Sequence, residues 1–424
     1  MNILNSNHKV FPVSDTENFK LKMLNWVNQF NIFSFLDNNV ITREDVAISC
    51  MAAVGAKRFV TLNHADLFTT LRAFHNQQPG WLFGHINYPQ EKRDEAGFPD
   101  GFFFEPDTLV ILHSAYVSIS SSSTLPETIF EEIVNQQSII TAINDLKVST
   151  KSTIKKEQYL NIINQIKSHI QRGDCYELNF CQEFYDQSAT IDPLYVYAKL
   201  RDISPNPFSA FYRINDNYCL CASPERFLQK KGSRIISQPI KGTAKRYPSD
   251  NKADDASLQQ LMSSEKERTE NIMIVDLVRN DLSKIAKEGS VAVSELCAIY
   301  SFPQVFQMIS TIVAEVDADT HWTTIVDACF PMGSMTGAPK TKVLELINKF
   351  EATPRGLFSG TIGYVTPDGD FDFNVVIRSV FYNQAKQQLS YKAGGGITIN
   401  SNPENEFEES LLKVSAINAL LDGA

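Results

Sequence analysis

The chain has 424 residues, 43% of them hydrophobic, with a formal net charge of −10 and a pI of about 5.3. That is ample for a substantial core, in two or three domains or in one large one. The acidic balance argues against a nucleic-acid partner or an anionic membrane surface, since either calls for a basic face, but it leaves small anionic substrates open.

Seven cysteines are scattered along the chain, odd in number and without a CxxC. Cys219 and Cys221 would share one strand face, a poor arrangement for a disulfide. Residues 1–7 lack the basic and apolar regions of a signal peptide, and no apolar run is long enough to span a membrane. These features together predict a soluble protein of a reducing cytoplasm.

Residues 1–118 combine an amphipathic helix over 19–35 with short apolar runs such as 108–112, and form the N-terminal part of the fold. Residues 119–158 read as a helical connection, 126–146, between polar and serine-rich linkers. In 159–424, the spacing of Ile162, Ile163, Ile166 and Ile170 predicts a helix over 159–173, followed by strands over 176–180, 208–212 and 218–221. Further on come a long helix over 256–279, a strand over 308–316 and a helix over 340–350. Strands over 361–365, 370–382 and 389–393 precede a last helix that starts near Pro403. Strands with interspersed helices and no regular βαβ alternation predict an α+β fold.

Arg234, Ile235 and Ile236 favour a strand that Pro239 confines to an edge or a bulge. Gly242 then permits a close approach or a φ that other residues avoid. Lys241, just before it, reads either as a surface lysine in a turn or as an amine that nearby positive charge keeps neutral and nucleophilic. Glu267 and Glu270 are three apart on a helix, and Glu406 and Glu409 repeat the spacing, with Lys413 four further on. Asn402 caps that last helix and Pro403 fits its first turn. By themselves both pairs read as solvated acids on a charged helix face, favoured by the dipole near a helix start. Asp372, Asn374, Val376 and Arg378 alternate with Phe373, Val375 and Ile377, which predicts a half-buried strand carrying Arg378. Its fork suits Asp372 or a ligand carboxylate. Gly394, Gly395 and Gly396 form a bend between strands or offer bare N–H groups to an anion. The stretch 333–340 lacks the spacing of a phosphate-binding loop, and no HExxH, Cys/His metal spacing or nucleophile elbow occurs.

Seven motifs follow one another in order. They are Ser223-Pro224-Glu225-Arg226-Phe227, Pro239-Ile240-Lys241-Gly242-Thr243, Glu267-Arg268-Thr269-Glu270-Asn271 and Gly333-Ser334-Met335-Thr336-Gly337-Ala338-Pro339-Lys340. Ile377-Arg378, Gly394-Gly395-Gly396-Ile397 and Asn402-Pro403-Glu404-Asn405-Glu406-Phe407-Glu408-Glu409 complete the series. The chain thereby resembles the chorismate-utilising enzymes, densely from Tyr159 onward and weakly before it.

The resemblance implies one intertwined α+β domain, two antiparallel sheets packed face to face with helices outside. It implies that Glu267, Glu270, Glu406 and Glu409 converge on a Mg²⁺ that binds the ring carboxylate of chorismate, with Glu270 and Glu409 as direct ligands. It makes Arg378 the anchor for the enolpyruvyl carboxylate, and puts Gly242, Thr243, Ser334, Gly394, Gly395, Gly396 and Lys413 around the substrate. Lys241 and Glu225 look like the nucleophile and the general acid/base of the aminodeoxychorismate-forming branch. There the lysine attacks C2 as the C4 hydroxyl leaves, and ammonia adds at C4. Mg²⁺ and Lys413 would help to keep Lys241 neutral. Anthranilate synthases resemble the chain but carry alanine at the Lys241 position, and the isochorismate and salicylate branches carry a lysine where Glu177 stands. Gln307 and Phe358 replace a frequent histidine and tyrosine. The resemblance further implies chorismate and ammonia as substrates and a separate glutamine amidotransferase subunit, since the chain shows no Cys-His-Glu arrangement of its own. Two other readings remain: an anthranilate synthase component I, and a catalytically silent homologue that binds a partner.

Overall fold

Strands from both ends of the chain interleave in two antiparallel sheets in the computed structural model of the protein. The structure describes residues 7–39, 48–92, 97–141 and 146–422. Residues 1–6, on which the reading of the chain start rests, and 142–145 of the expected connecting helix lie outside them.

The first sheet has twelve strands. At its centre Ile32–Asp37 pairs with Ile48–Val54 on one side and Phe208–Ile214 on the other. Asn217–Ser223, Ser379–Asn383, Gln388–Ile397 and Glu177–Asp186 follow in order toward one edge. The second sheet has ten strands. Ile240–Lys245 forms its edge, next to Val305–Glu315, Arg234–Gln238, Arg226–Lys231 and Phe371–Asn374. The sheet continues through Thr361–Val365 to the N-terminal strands Leu82–Ile86, Gly101–Glu105 and Arg58–Leu62. Residues 1–118 thus supply strands to both layers.

Ala53, Phe83, Phe104, Tyr212 and Ile362 fill the space between the sheets. The outer face of the first sheet is covered by the helices Thr16–Val27, Pro126–Val134, Pro193–Ile203 and Ser415–Asp422. Leu67–Gln77, Glu265–Ser283 and Trp322–Cys329 cover the second. The α+β sandwich with outer helices is therefore as expected. Among the described residues no helix is long and apolar enough to cross a membrane.

Three expected elements break in two. The amphipathic pattern over 19–35 is a helix, Thr16–Val27, and then a strand, because Ile32, Phe33 and Phe35 favour extended backbone once the helix stops. The long helix over 256–279 is two, Asn251–Ser263 and Glu265–Ser283. Ser264 leaves helical dihedrals and its hydroxyl accepts the Glu267 N–H as an N-cap. The strand over 370–382 stops at Asn374 and resumes at Ser379, crossing from the second sheet to the first.

Candidate active site

Lys241 lies on the edge strand Ile240–Lys245, whose register shifts between Ile240 and Thr243 as it passes Val305–Glu315. Gly242 takes up the irregularity with φ +90°, and a Cβ there would sit 3.1 Å from Glu267 Oε2. The bulge turns Lys241 across to the first sheet, where Nζ donates to Glu177 Oε1 at 2.7 Å. The two side chains are only 11% and 1% exposed. Burial alone would favour the neutral amine, but the carboxylates of Glu177, Glu270 and Glu225 outweigh it and hold the ammonium above its usual range. The protein charges nearest to it are negative, whereas the expected neutral amine relied on Mg²⁺ and Lys413. Lys413, expected to oppose protonation, is engaged by Glu409 Oε1 at 2.7 Å and by the Gly394 carbonyl at 2.9 Å.

Gly394, Gly395 and Gly396 form no bend. They continue the Gln388–Ile397 strand, opposite Cys181, Phe180 and Asn179 of Glu177–Asp186. A Cβ on Gly396 would lie 2.7 Å from Lys241 Nζ and would also strike Glu177 Oε1, so the absent side chain makes room for the ion pair. Gly395 faces Glu406, Glu409 and Lys413.

Glu225 follows the strand Asn217–Ser223 and is buried. Its backbone N–H donates to Ser223 Oγ at 3.2 Å, and its side chain is hydrogen-bonded to the Ser334 side chain and the Ile240 backbone. Burial nevertheless pushes the carboxyl up to about 7. An acid half-protonated near neutrality is suited to giving a proton to a leaving group. Thr243, expected at the substrate, is exposed and in register with Gln307, whose buried Oε1 has no hydrogen-bond partner among the described residues. Phe358 belongs to the apolar layer of the second sheet.

Both acid pairs reach one place. Lys266 Nζ lies 3.1 Å from Glu406 Oε1 and 3.9 Å from both Glu270 Oε1 and Glu409 Oε2. Glu267 is close enough for Lys266, Glu409 and Lys413 to act on it, though burial dominates and raises its pKa. The Lys413 charge drops Glu409 to about 2, whereas burial lifts Glu270 to about 7. Among the described residues no three acidic, histidine or cysteine side chains close around one point as a finished metal shell; an ammonium stands in the middle. The donor set still fits Mg²⁺: the oxygens are hard, they come from two helices, and Glu270 Oε1 is buried without a hydrogen-bond partner among the described residues.

Arg378 sits in the turn between Phe371–Asn374 and Ser379–Asn383, not on a strand, with φ +53°. Asp372 is taken by Arg226 at 3.0 Å. Arg378 is partly buried, and its guanidinium makes no hydrogen bond or ion pair among the described residues. Burial lowers its pKa, opposed by Glu409. With no hydrogen bond or ion pair among the described residues, its guanidinium fork is open to a carboxylate.

Two contributors escaped the sequence reading. Glu177 entered it only as a mismatch to a lysine. The second is the buried pair Glu351–Arg355, 2.7 Å apart. Arg355 also donates to the carbonyls of Asn179 at 2.8 Å and Met335 at 2.6 Å. It thus fixes the strand of Glu177 against the turn of Ser334. Its only trace in the sequence is an i,i+4 acid–base spacing, which surface helices show routinely.

Residues 36–419 match the profile of the chorismate binding enzyme family. The aminodeoxychorismate synthase component 1 of Salmonella typhimurium is 40% identical over 267 residues, which are 63% of this chain and 58% of that protein. An anthranilate synthase component I-like protein of Synechocystis is 32% identical over 360 residues, 82% of this chain and 73% of its own. The crystal structure of anthranilate synthase component I from Streptococcus pneumoniae shares the fold with a TM-score of 0.76 at 22% identity, covering 90% of this chain and 94% of that one.

Proposed function

Since the chain belongs to the family of chorismate binding enzymes, we propose that it converts chorismate and ammonia to 4-amino-4-deoxychorismate. The observation that carries this reading is Lys241, buried in the site, ion-paired at 2.7 Å and influenced by the Glu225 charge. The relatives named aminodeoxychorismate synthase component 1 support it.

Arg378 takes the enolpyruvyl carboxylate. Glu270 and Glu409, with Glu267 and Glu406 acting through water, would hold Mg²⁺, which supplies positive charge for the ring carboxylate. Lys413, Gly242, Ser334 and the three glycines shape the space around the ring. The neutral amine of Lys241 forms a bond to C2, the ring double bonds shift, and the C4–O bond breaks. Glu225 gives its proton to the departing hydroxyl, which leaves as water. Ammonia then bonds to C4, the shift reverses, and the C2–N bond breaks with its electron pair returning to Lys241. Glu225 recovers a proton from the new ammonium. Ammonia comes from a separate cytoplasmic glutamine amidotransferase subunit, a second component of the kind that the name component 1 leaves room for.

The Synechocystis relative supports a second reading, anthranilate formation. Incubation with chorismate, MgCl₂ and ammonium chloride separates the two. Aminodeoxychorismate without pyruvate release is the expected result; fluorescent anthranilate with stoichiometric pyruvate would replace the first reading by the second, and no chorismate consumption would leave a silent homologue. Lys241→Ala should abolish turnover and keep chorismate binding, and mass spectrometry of the wild type should find a chorismate-derived adduct on the Lys241 peptide.

A further inference from the structure

We propose that Glu177 accepts the proton of Lys241 before the amine attacks, and hands it back when the amine departs. The inference rests on the amination reading and assigns a group to the one proton that the reaction leaves without an owner. Lys241 is held as an ammonium, so it must lose a proton to become a nucleophile. Glu225 cannot take it, because Glu225 has to be protonated in order to release the C4 hydroxyl. Among the described residues, Glu177 is the acid in ion-pair contact with Lys241, at 2.7 Å. Its Oε1 receives the Lys241 N–H, and its other oxygen, Oε2, is buried and without a hydrogen-bond partner among the described residues, so no second donor holds the carboxylate in its charged form.

The setting holds this pair at transfer distance. Glu177 comes from the first sheet and Lys241 from the second, and the Glu177 strand is held in place: Glu177 and Leu178 pair with Ala338 and Gly337, and Arg355 grips the Asn179 carbonyl two residues on. Gly396 leaves the space in which the two side chains meet. The proton balance closes. Lys241 passes H⁺ to Glu177, and its lone pair forms the bond to C2 while Glu225 protonates the leaving hydroxyl. When ammonia adds at C4, the C2–N electron pair returns to Lys241, which takes H⁺ back from Glu177, and Glu225 collects H⁺ from the new C4 ammonium.

Glu177→Gln, close to isosteric, is the first test in the full chain with chorismate, MgCl₂ and ammonium chloride. The expected result is chorismate binding within about threefold of wild type and a kcat lower by about 100-fold or more, the usual weight of a positioned base. Glu177→Ala should regain activity, saturably, with added formate. Reductive methylation followed by peptide mass spectrometry provides a readout that needs no turnover: Lys241, protected in wild type, should react at least about tenfold faster in Glu177→Gln once its partner cannot hold the ammonium. If wild type makes no aminodeoxychorismate, the amination reading itself fails. If wild type makes it and Lys241→Ala does not, while Glu177→Gln keeps a third or more of the wild-type kcat, the acceptor role alone is overturned. Should Glu177→Gln lose chorismate binding, formate decides: recovery in Glu177→Ala supports the role, and no recovery overturns it.

Discussion

Lys266 Nζ stands 3.1 Å from Glu406 Oε1 and so joins the helix Glu265–Ser283 to the helix Pro403–Lys413. Glu406 is almost wholly buried, and Glu270 and Glu409 lie on the same ammonium at 3.9 Å. A divalent ion taking these carboxylates has to displace that ammonium first.

Lys266→Met should therefore destabilise the protein in EDTA. Losing one partner of a buried pair costs several kcal/mol, but Lys266 is 39% exposed, so solvent screening reduces the loss to about 1 kcal/mol. MgCl₂ should then raise the urea midpoint of the variant more than that of wild type, because nothing has to be displaced. Equal Mg²⁺ shifts in the two proteins would show that Lys266 and the ion do not share the place.

The pH dependence follows from Glu225, which burial pushes up to about 7. The reaction needs its protonated form, so kcat/KM should fall about tenfold per pH unit on the alkaline side of an apparent pKa near that value. The stability sign runs the same way. Glu225 binds its proton more tightly folded than unfolded, so this contribution is complete below the ordinary glutamate pKa of about 4.3 and is lost as pH rises toward 7. Glu225→Gln should remove both effects. A wild-type pH–rate profile flat from pH 6 to 9 would contradict the assignment of Glu225 as the acid.

Arg378 allows substrate binding to be separated from stability. Among the described residues its guanidinium has no hydrogen-bond or ion-pair partner to lose, and its φ of +53° is one that glycine adopts without strain. Arg378→Gly should melt at or slightly above the wild-type temperature. Its chorismate dissociation constant should rise about 10- to 100-fold, the weight of one charge-assisted contact. A large drop in melting temperature would mean that Arg378 has a structural partner.

Local pattern carried much of this protein. The helix Lys340–Phe350 and the strand Thr361–Val365 lie where the apolar spacing puts them, and Asn402 caps Pro403–Lys413 with hydrogen bonds to the N–H groups of Glu404 and Asn405. The helix, the strand and the cap depend on backbone preference and on one buried face, both of which a short window of residues contains. Grouping Lys241, Glu225 and both acid pairs into one candidate site came instead from the family resemblance of the ordered motifs from Ser223 to Glu409.

The state of that site was decided elsewhere. Glu177 and Lys241 are 64 residues apart and belong to different sheets, and Lys266 reaches an acid 140 residues away. Whether an amine is charged depends on which groups stand within a few ångströms of it, and only the pairing of distant strands and the docking of two helices determine that. The same applies to Gly396, which in sequence reads as a bend or as a bare N–H for an anion and proves to be room for two side chains once the sheets close over it.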